Sequence, residues 1–323
     1  MPLRPVPWAV GNGAENSVEL ARADTFVGSS GATGIVDPTD LKVVELPTPG
    51  AAVRVRKGTG VIRSTYPGVF GQSYVVQEQS YTDVPVAATG SSGAATKYVY
   101  ILITDTQYGG QTPPSVENGP YNDYAVTTTL PTNQPYLLLA KIAQPASTAT
   151  ITNSMLTDMR EVANPKTLDV WRPRPSIAAD KEYNNITGAD GEWFPNNGGE
   201  QTIHIPDWAT RVQISATWIG IRYDSGKNAY GEMWAEFGPY LRPSTRKYST
   251  QRFMYDTAAS ANTYRTNWIA EDDCYVDPSI RGTDQVFVMK ARKTGPDTGA
   301  SIDGMSGVSL KVRFLQLADP STS

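Results

Sequence analysis

The sequence predicts a mainly β protein built from two domains, and three observations lead to that prediction. The 323 residues include 28 glycines and 24 prolines, more than an average protein of this length carries, and both residue types favour turns. Short runs rich in valine, tyrosine and leucine stand between those turns, which is typical of strands. The length fits two domains at roughly 100–200 residues each.

The first half is predicted to hold one short helix followed by strands. Asn16 or Ser17 precedes the helical run 18–26 and offers a side-chain oxygen that can cap it. Segment 98–103 is continuously apolar, so we expect a central strand that is buried on both faces. The other strands predicted in this half are residues 41–46, 52–56, 60–64, 72–78, 81–86 and 136–143.

A proline-rich linker is predicted over residues 164–176. Pro165, Pro173 and Pro175 resist both helix and central strand, and the sequence between them favours extended chain. This linker divides the chain into an N-terminal β-rich domain over residues 1–163 and a C-terminal domain over residues 177–323.

The C-terminal half shows the clearest alternation. Between residues 211 and 218 the apolar side chains fall at even positions and polar ones at odd positions, the pattern of a half-buried strand. Some seven such strands, separated by turns rich in Gly, Pro, Asn and Asp, indicate an antiparallel β-sandwich, and we expect it to be jelly-roll-like. The acidic run 271–277 is interpreted as a solvated loop between two strands rather than as a calcium site.

Composition excludes several classes of function. A formal net charge of −4 argues against nucleic-acid binding. One cysteine and one histidine exclude a disulfide framework and multi-ligand Cys or His metal sites. The chain carries no nucleotide-binding glycine motif and no nucleophile elbow, so we expect no cofactor, no metal and no enzyme activity. It has no run of about 18 apolar residues for membrane insertion, and residues 1–8 lack the apolar core of a signal peptide.

A pair of carboxylates marks one candidate site. Glu232 and Glu236 fall on the same face of a predicted strand, with Trp234 between them. Two carboxylates beside an aromatic ring suit sugar recognition or glycoside hydrolysis, because both use acidic side chains next to an apolar platform. The same pattern also fits the solvent face of an edge strand.

Aromatic side chains mark candidate surface contacts with a ligand or another subunit. Trp234 is out of phase with its apolar neighbours Met233 and Ala235, which predicts exposure or burial against a second subunit. For Trp193 and Trp268 the sequence leaves both a core and a surface position open, and they are further candidate contacts. Exposed aromatic rings of this kind are typical of carbohydrate and protein interfaces.

Several stretches in the first half occur in an order that resembles the N-terminal region of minor tail proteins from siphophages infecting actinobacteria. The resemblance covers mostly residues 15–165, and segment 205–210 is similar to the C-terminal domains of those proteins. The stretches concerned are residues 15–22, 34–43, 49–55, 58–62, 72–76 and 151–160.

The resemblance implies a structural protein of the tail tip or baseplate. In that family the N-terminal domain docks on other tail proteins, the C-terminal β domain faces the host envelope, and many members are homotrimers. The expected place is therefore the virion, after synthesis in the host cytoplasm without a signal peptide, and the expected ligand is a host cell-wall glycan. Three alternatives stay open: a tail protein that only scaffolds, a depolymerase or glycosidase, and a lectin-like binder outside viruses.

Overall fold

The chain is described here from a computed structural model. The structure describes residues 17–91, 93–109, 112, 115, 119–174, 184–187, 191–195, 200–238, 249–256, 258–294 and 300–319. It divides into two compact units. The first takes the residues up to Pro165 and those from Leu317 onward, and the second takes Lys166–Gln316.

The first unit begins with one helix, α1 (Val18–Gly28), which the sequence predicts. Ser17 caps it, because its Oγ accepts a hydrogen bond from the amide of Leu20 at 3.2 Å. No residue of the helix is buried. Arg22 attaches it through an ion pair, with Nη1 2.7 Å from a carboxylate oxygen of the buried Asp105. Polar attachment therefore replaces core packing at this helix.

Among the described residues of the first unit, the strands form two antiparallel four-stranded sheets. In one sheet β3 pairs with β1, β2 and β4, and in the other the order is β6-β5-β7-β8. A shared aliphatic core includes Ile62, Val99, Leu139 and Ile142. The strands are β1 (Gly34–Ile35), β2 (Val43–Gly50), β3 (Ala52–Arg63), β4 (Ser73–Pro85), β5 (Ala95–Ile103), β6 (Asn122–Thr127), β7 (Tyr136–Gln144) and β8 (Leu156–Asp158).

The predicted central strand is confirmed, while two predicted breaks are absent. β5 lies between β6 and β7, so its central position is as predicted. Val99, Ile101 and Ile103 on one face are buried, whereas the other face is buried only in part, because Tyr98 and Leu102 are half-buried. β3 and β4 are each one long strand where the sequence predicts two short ones. The pairing of β3 with β4 shifts register between Arg56 and Gly58, so a bulge absorbs the expected turn within the ladder.

The second unit contains two further antiparallel sheets. Their main strand orders are β9-β19-β13-β16, which we call the first sheet of this unit, and β12-β17-β14-β15, the second sheet. Short strands β10 and β18 extend the first sheet, and β11 pairs with β17 in the second. The bounds are β9 (Thr167–Arg174), β10 (Asn184–Asn185), β11 (Glu192–Trp193), β12 (Glu200–His204), β13 (Arg211–Tyr223), β14 (Ala229–Phe237), β15 (Gln251–Tyr255), β16 (Tyr264–Tyr275), β17 (Asp284–Lys293), β18 (Ser301–Ile302) and β19 (Gly307–Leu315).

Strand pairing in the second unit is nested, which gives it a jelly-roll topology. Among the eight main strands the first pairs with the last, β9 with β19, and β12 pairs with β17. β13 pairs with β16, and β14 pairs with its neighbour β15. The chain is thus one long hairpin wrapped into two sheets, as in double Greek-key sandwiches. The jelly-roll-like sandwich predicted from the sequence is confirmed.

The core of the jelly roll lies where the alternation places it. Val212, Ile214, Ala216 and Trp218 of β13 are all at most 2% exposed. They pack in one cluster with side chains of the second sheet, such as Phe287. The Trp218 Nε1 donates a hydrogen bond to the carbonyl oxygen of Phe194 at 2.6 Å, so the buried indole leaves no unpaired donor.

The predicted linker is wrong for residues 167–174, because β9 is an edge strand of the jelly roll. An edge strand tolerates Pro173, since one side of its backbone has no partner strand to receive a hydrogen bond. β9 pairs with β19 along its length, from Thr167 opposite Leu315, and the amide of Gln316 donates to the carbonyl oxygen of Lys166 at 3.0 Å. The two ends of the jelly roll therefore lie side by side. Residues 175–183 lie outside the described residues.

Candidate functional site

On the outer face of the first sheet of the second unit, polar and aromatic side chains are aligned in rows that cross the strands. Successive side chains on a strand point to opposite faces, so residues directly opposite each other across the strands share a face. Two neighbouring rows run from β9 to β16 across the sheet. One row is Asp169, Arg313, Gln213 and Asp273, and the next is Trp171, Lys311, Ser215 and Glu271.

These two rows line an open groove of about 760 Å³. Its floor consists of backbone around Val170, Ile214 and Val312, whose side chains turn to the other face of the sheet. Because sheet backbone forms the floor, the two rows of side chains have a fixed spacing. We call this surface the β9–β16 groove.

Trp171 is the aromatic ring of the β9–β16 groove. Its side chain is 59% exposed, yet its Nε1 donates a hydrogen bond to Ser309 Oγ at 2.7 Å. The Lys311 ammonium lies 5.6 Å from the centroid of the indole ring, within the range of a cation–π contact. Two polar contacts thus hold an indole that remains open to solvent.

Ion pairs fix most of the charges in the groove. The Arg313 guanidinium donates two hydrogen bonds to Asp169, at 2.7 and 3.1 Å, and these bonds hold the pKa of Asp169 below its ordinary value. The Arg211 Nε lies 2.6 Å from a carboxylate oxygen of Asp273. Pairs this exposed contribute little to folding stability, because water screens the attraction and ordering two side chains costs entropy. Their effect is to arrange hydrogen-bond donors and acceptors side by side along the groove.

The arrangement suits recognition of a saccharide. A sugar ring presents C–H groups that pack on an aromatic ring and hydroxyls that need both donors and acceptors. Trp171 supplies the ring, and the neighbouring Asp169–Arg313 pair supplies the acceptors and donors.

Within the described ranges, His, Cys, Asp and Glu side chains nowhere gather into a group of three that could hold a metal ion. Among the described helices, none has the length and apolar character needed to cross a membrane.

Four of the five residues singled out in the sequence lie on the second sheet. Trp193 of β11 is opposite Lys290 of β17, which in turn is opposite Trp234 of β14. Glu232 and Glu236 share that face of β14, as their spacing predicts. The structure therefore brings together Trp193, Glu232, Trp234 and Glu236, but on the sheet away from the β9–β16 groove.

The predicted surface position of Trp234 is wrong. Trp234 is 1% exposed and Glu236 is fully buried, because this part of β14 is covered on both faces. Gly191 lies directly against the indole: a Cβ there would be 2.6 Å from Trp234 Cη2, and its φ of +91° favours glycine. The Trp234 Nε1 donates to Glu236 at 2.8 Å, and Lys290 Nζ lies 2.5 Å from the other carboxylate oxygen. Intrachain packing, and not a second subunit, explains the out-of-phase tryptophan.

The predicted surface position of Trp268 is also wrong. Trp268 of β16 is 4% exposed and points into the core of the jelly roll. Its ring stacks on Phe253 with centroids 4.2 Å apart, and its Nε1 donates to the hydroxyl of Tyr223. It is the inward partner of Trp218 across the strands. Trp193, at 41% exposed, is the one of the three tryptophans that lies at the surface.

The two glutamates do not form a glycosidase pair. They are four residues apart on one strand, which separates them by about 13 Å, more than the roughly 5–10 Å between catalytic carboxylates. Each is also neutralised by a cation, Glu232 by Arg292 at 2.5 Å and Glu236 by Lys290. Their arrangement is that of structural ion pairs.

Sequence reasoning missed the residues of the β9–β16 groove. Trp171 lies in the predicted linker, and Glu271 and Asp273 lie in the predicted loop 271–277, of which residues 271–275 belong to β16. One signal was available in the acidic run. Cys274 is buried while Glu271 and Asp273 are exposed, so the alternation of a half-buried strand continues through it.

Fold and groove together define a β-rich protein with a jelly-roll unit that presents a polar, aromatic-edged sheet face. No family model matches the chain, and no curated protein matches it. Among solved structures it is similar to the infectious bursal disease virus VP2 subviral particle, with 12% identity and a TM-score of 0.26 over 94% of this chain and 78% of that one. For the Gx strain of the same virus the identity is 13% and the TM-score 0.25, over 94% and 84% of the two chains. Both are structures of virus particles, and TM-scores this low do not establish a shared fold.

Proposed function

We propose that the chain is a non-enzymatic structural protein of a phage tail tip, and that its jelly roll attaches the virion to the host by binding a cell-wall saccharide. The single observation that carries the binding role is the exposed Trp171 indole, held by Ser309 and Lys311 at the edge of a polar groove. The place in a tail tip is supported by the resemblance of residues 15–165 to minor tail proteins.

Attachment at this groove depends on several copies acting together. We propose a homotrimer docked on other tail proteins, because a shallow open groove offers each copy only modest affinity. Linking several weak sites on one rigid tip raises overall avidity by about 10²–10⁴-fold. Sedimentation of the full chain measures the number of copies, and a chain that stays monomeric at all concentrations would contradict the trimer.

The binding role is tested with the full chain and washed actinobacterial cell walls. Trp171→Ala is expected to weaken binding about thirtyfold, because a central aromatic contact contributes about 2 kcal/mol. Trp193→Ala is the matched control, since it removes an exposed tryptophan from the other sheet. Loss of binding in the Trp193 variant alone would place the site on the second sheet and overturn the assignment to the groove.

Pure scaffolding is the second candidate function, and one observation favours it. Beyond Trp171 the same face carries the apolar side chains of Ile269 and Ile219, which are 54% and 46% exposed. Exposed apolar side chains side by side suit a protein–protein contact better than a sugar. A chain that assembles into tail tips but binds no cell wall in any oligomeric state would favour scaffolding.

A further inference from the structure

Of the two cations that line the β9–β16 groove among the described residues, Lys311 is the one that the ion pairs do not use. It lies opposite Trp171 on one side and Ser215 on the other, and it is exposed. Each arginine beside it has a carboxylate partner, Arg313 with Asp169 and Arg211 with Asp273. Among the described residues, the Lys311 ammonium contacts the Trp171 ring and forms an ion pair with no carboxylate.

We propose that the saccharide bound in the groove is anionic, with its ring on Trp171 and its carboxylate or phosphate paired with Lys311. This inference rests on the proposed function. A neutral sugar would use the indole and the Asp169–Arg313 pair and would leave the positive charge of Lys311 without an anionic partner. An anionic substituent next to the stacked ring reaches it, because the Lys311 Nζ lies 5.6 Å from the ring centroid.

The acidic residues of the groove do not prevent this. Asp169 and Asp273 are each neutralised by an arginine. Asp272, which also lines the groove, accepts a hydrogen bond from the amide of Ser249 at 2.6 Å. Glu271 lies two strands from Lys311, across Ser215, which is about 10 Å at the usual strand spacing. At that distance its repulsion of an anion bound to Lys311 is less than half the attraction at about 4 Å, and salt screens it further. The balance next to Trp171 therefore favours an anion.

The experiment compares three preparations of the same actinobacterial cell walls. One is untreated, one has its carboxylates amidated with a carbodiimide, and one has its phosphodiesters removed with hydrofluoric acid. The full-length protein is measured as wild type and as Lys311→Gln. Lys311→Arg keeps the charge, and Lys293→Gln makes the same charge change on the second sheet.

One treatment is expected to lower wild-type binding about fivefold, the upper end of what an exposed ion pair contributes. Lys311→Gln should bind untreated walls at that lower level and should not respond to the same treatment. The arginine variant and the Lys293 control should behave like wild type. The treatment that acts identifies the anion as a carboxylate or a phosphate.

Three results would overturn the inference, and they are distinguishable. If wild type binds all three preparations equally and still depends on Trp171, the ligand is a neutral saccharide and the proposed function stands. If Lys311→Gln responds to the treatments as wild type does, the ligand is anionic but its charge is bound by another group, so the assignment to Lys311 fails while the proposed function stands. If wild type does not bind untreated walls at all, the proposed function fails together with the inference.

Discussion

Replacing Trp234 by alanine is expected to destabilise the jelly roll strongly, although the residue lies on the outer face of its sheet. The indole is 1% exposed, so the change leaves a cavity between β14 and Gly191. Truncation of a buried tryptophan costs about 3–5 kcal/mol. It also removes the Nε1–H donor of the buried Glu236 carboxylate, whose loss adds about 1 kcal/mol.

The total of about 5 kcal/mol is a large part of the roughly 5–15 kcal/mol that stabilises a domain. At a urea dependence of about 2 kcal/mol per molar, the unfolding midpoint of the jelly roll should fall by about 2.5 M. Far-UV circular dichroism in urea measures this shift. Trp171→Ala is the matched control, and its midpoint should move by less than about 0.5 M, because the residue is largely exposed.

An equal midpoint for Trp234→Ala and wild type would refute the reasoning, because it would mean that the indole is not packed as the structure has it. Trp234→Phe separates the two contributions. It keeps most of the apolar volume and loses the hydrogen bond to Glu236, so it should lower the stability by about 1–3 kcal/mol. A phenylalanine variant as unstable as the alanine variant would show that the hydrogen bond, and not the cavity, dominates.

Two further predictions concern stability. Gly34→Ala should lower the free energy of unfolding in urea by about 2–3 kcal/mol, because its Cβ would lie 2.4 Å from the backbone oxygen of Glu161. The control Gly28→Ala has open space around the added Cβ and should lower it by less than about 0.5 kcal/mol. Equal effects of the two substitutions would contradict this prediction. The hydrogen bond from Arg265 holds the pKa of Asp303 below its ordinary value, so its stabilising contribution is present above about pH 4 and is lost as pH falls through the folded-state pKa. The urea unfolding midpoint should therefore change less between about pH 7 and about pH 3 in Asp303→Asn than in wild type. The same change in both proteins would contradict this prediction.

The sequence predicts the strands well wherever one face of a strand meets solvent. In β13 the alternation from Val212 to Trp218 gives both the strand and its buried face, because the polar positions are truly exposed. The same logic fails in β14, where Trp234 and Glu236 are covered by the chain itself. Alternation of polar and apolar residues reflects the solvent exposure of one strand face, so it does not indicate which side chains are buried once both faces are covered.

The candidate site was harder to predict than the fold, because its residues come from four strands that are distant in sequence. Trp171 and Lys311 are opposite each other only because β9 pairs with β19, at a separation that no local pattern reports. Proline in β9 and consecutive acids in β16 also favoured loops on local grounds. β9 accommodates its proline because it is an edge strand, where one side of the backbone needs no hydrogen-bond partner. β16 accommodates its acids because one face of that strand is open to solvent.

The side-by-side ends of the jelly roll have a consequence for how such a protein can change. The chain leaves the first unit after Pro165 and rejoins it at Leu317, and the intervening jelly roll starts and finishes on the neighbouring strands β9 and β19. A domain whose ends meet can be removed or exchanged as a single cassette without separating the chain ends that receive it. Recombination at these two junctions would substitute one β-sandwich for another while the remainder of the protein keeps its own core.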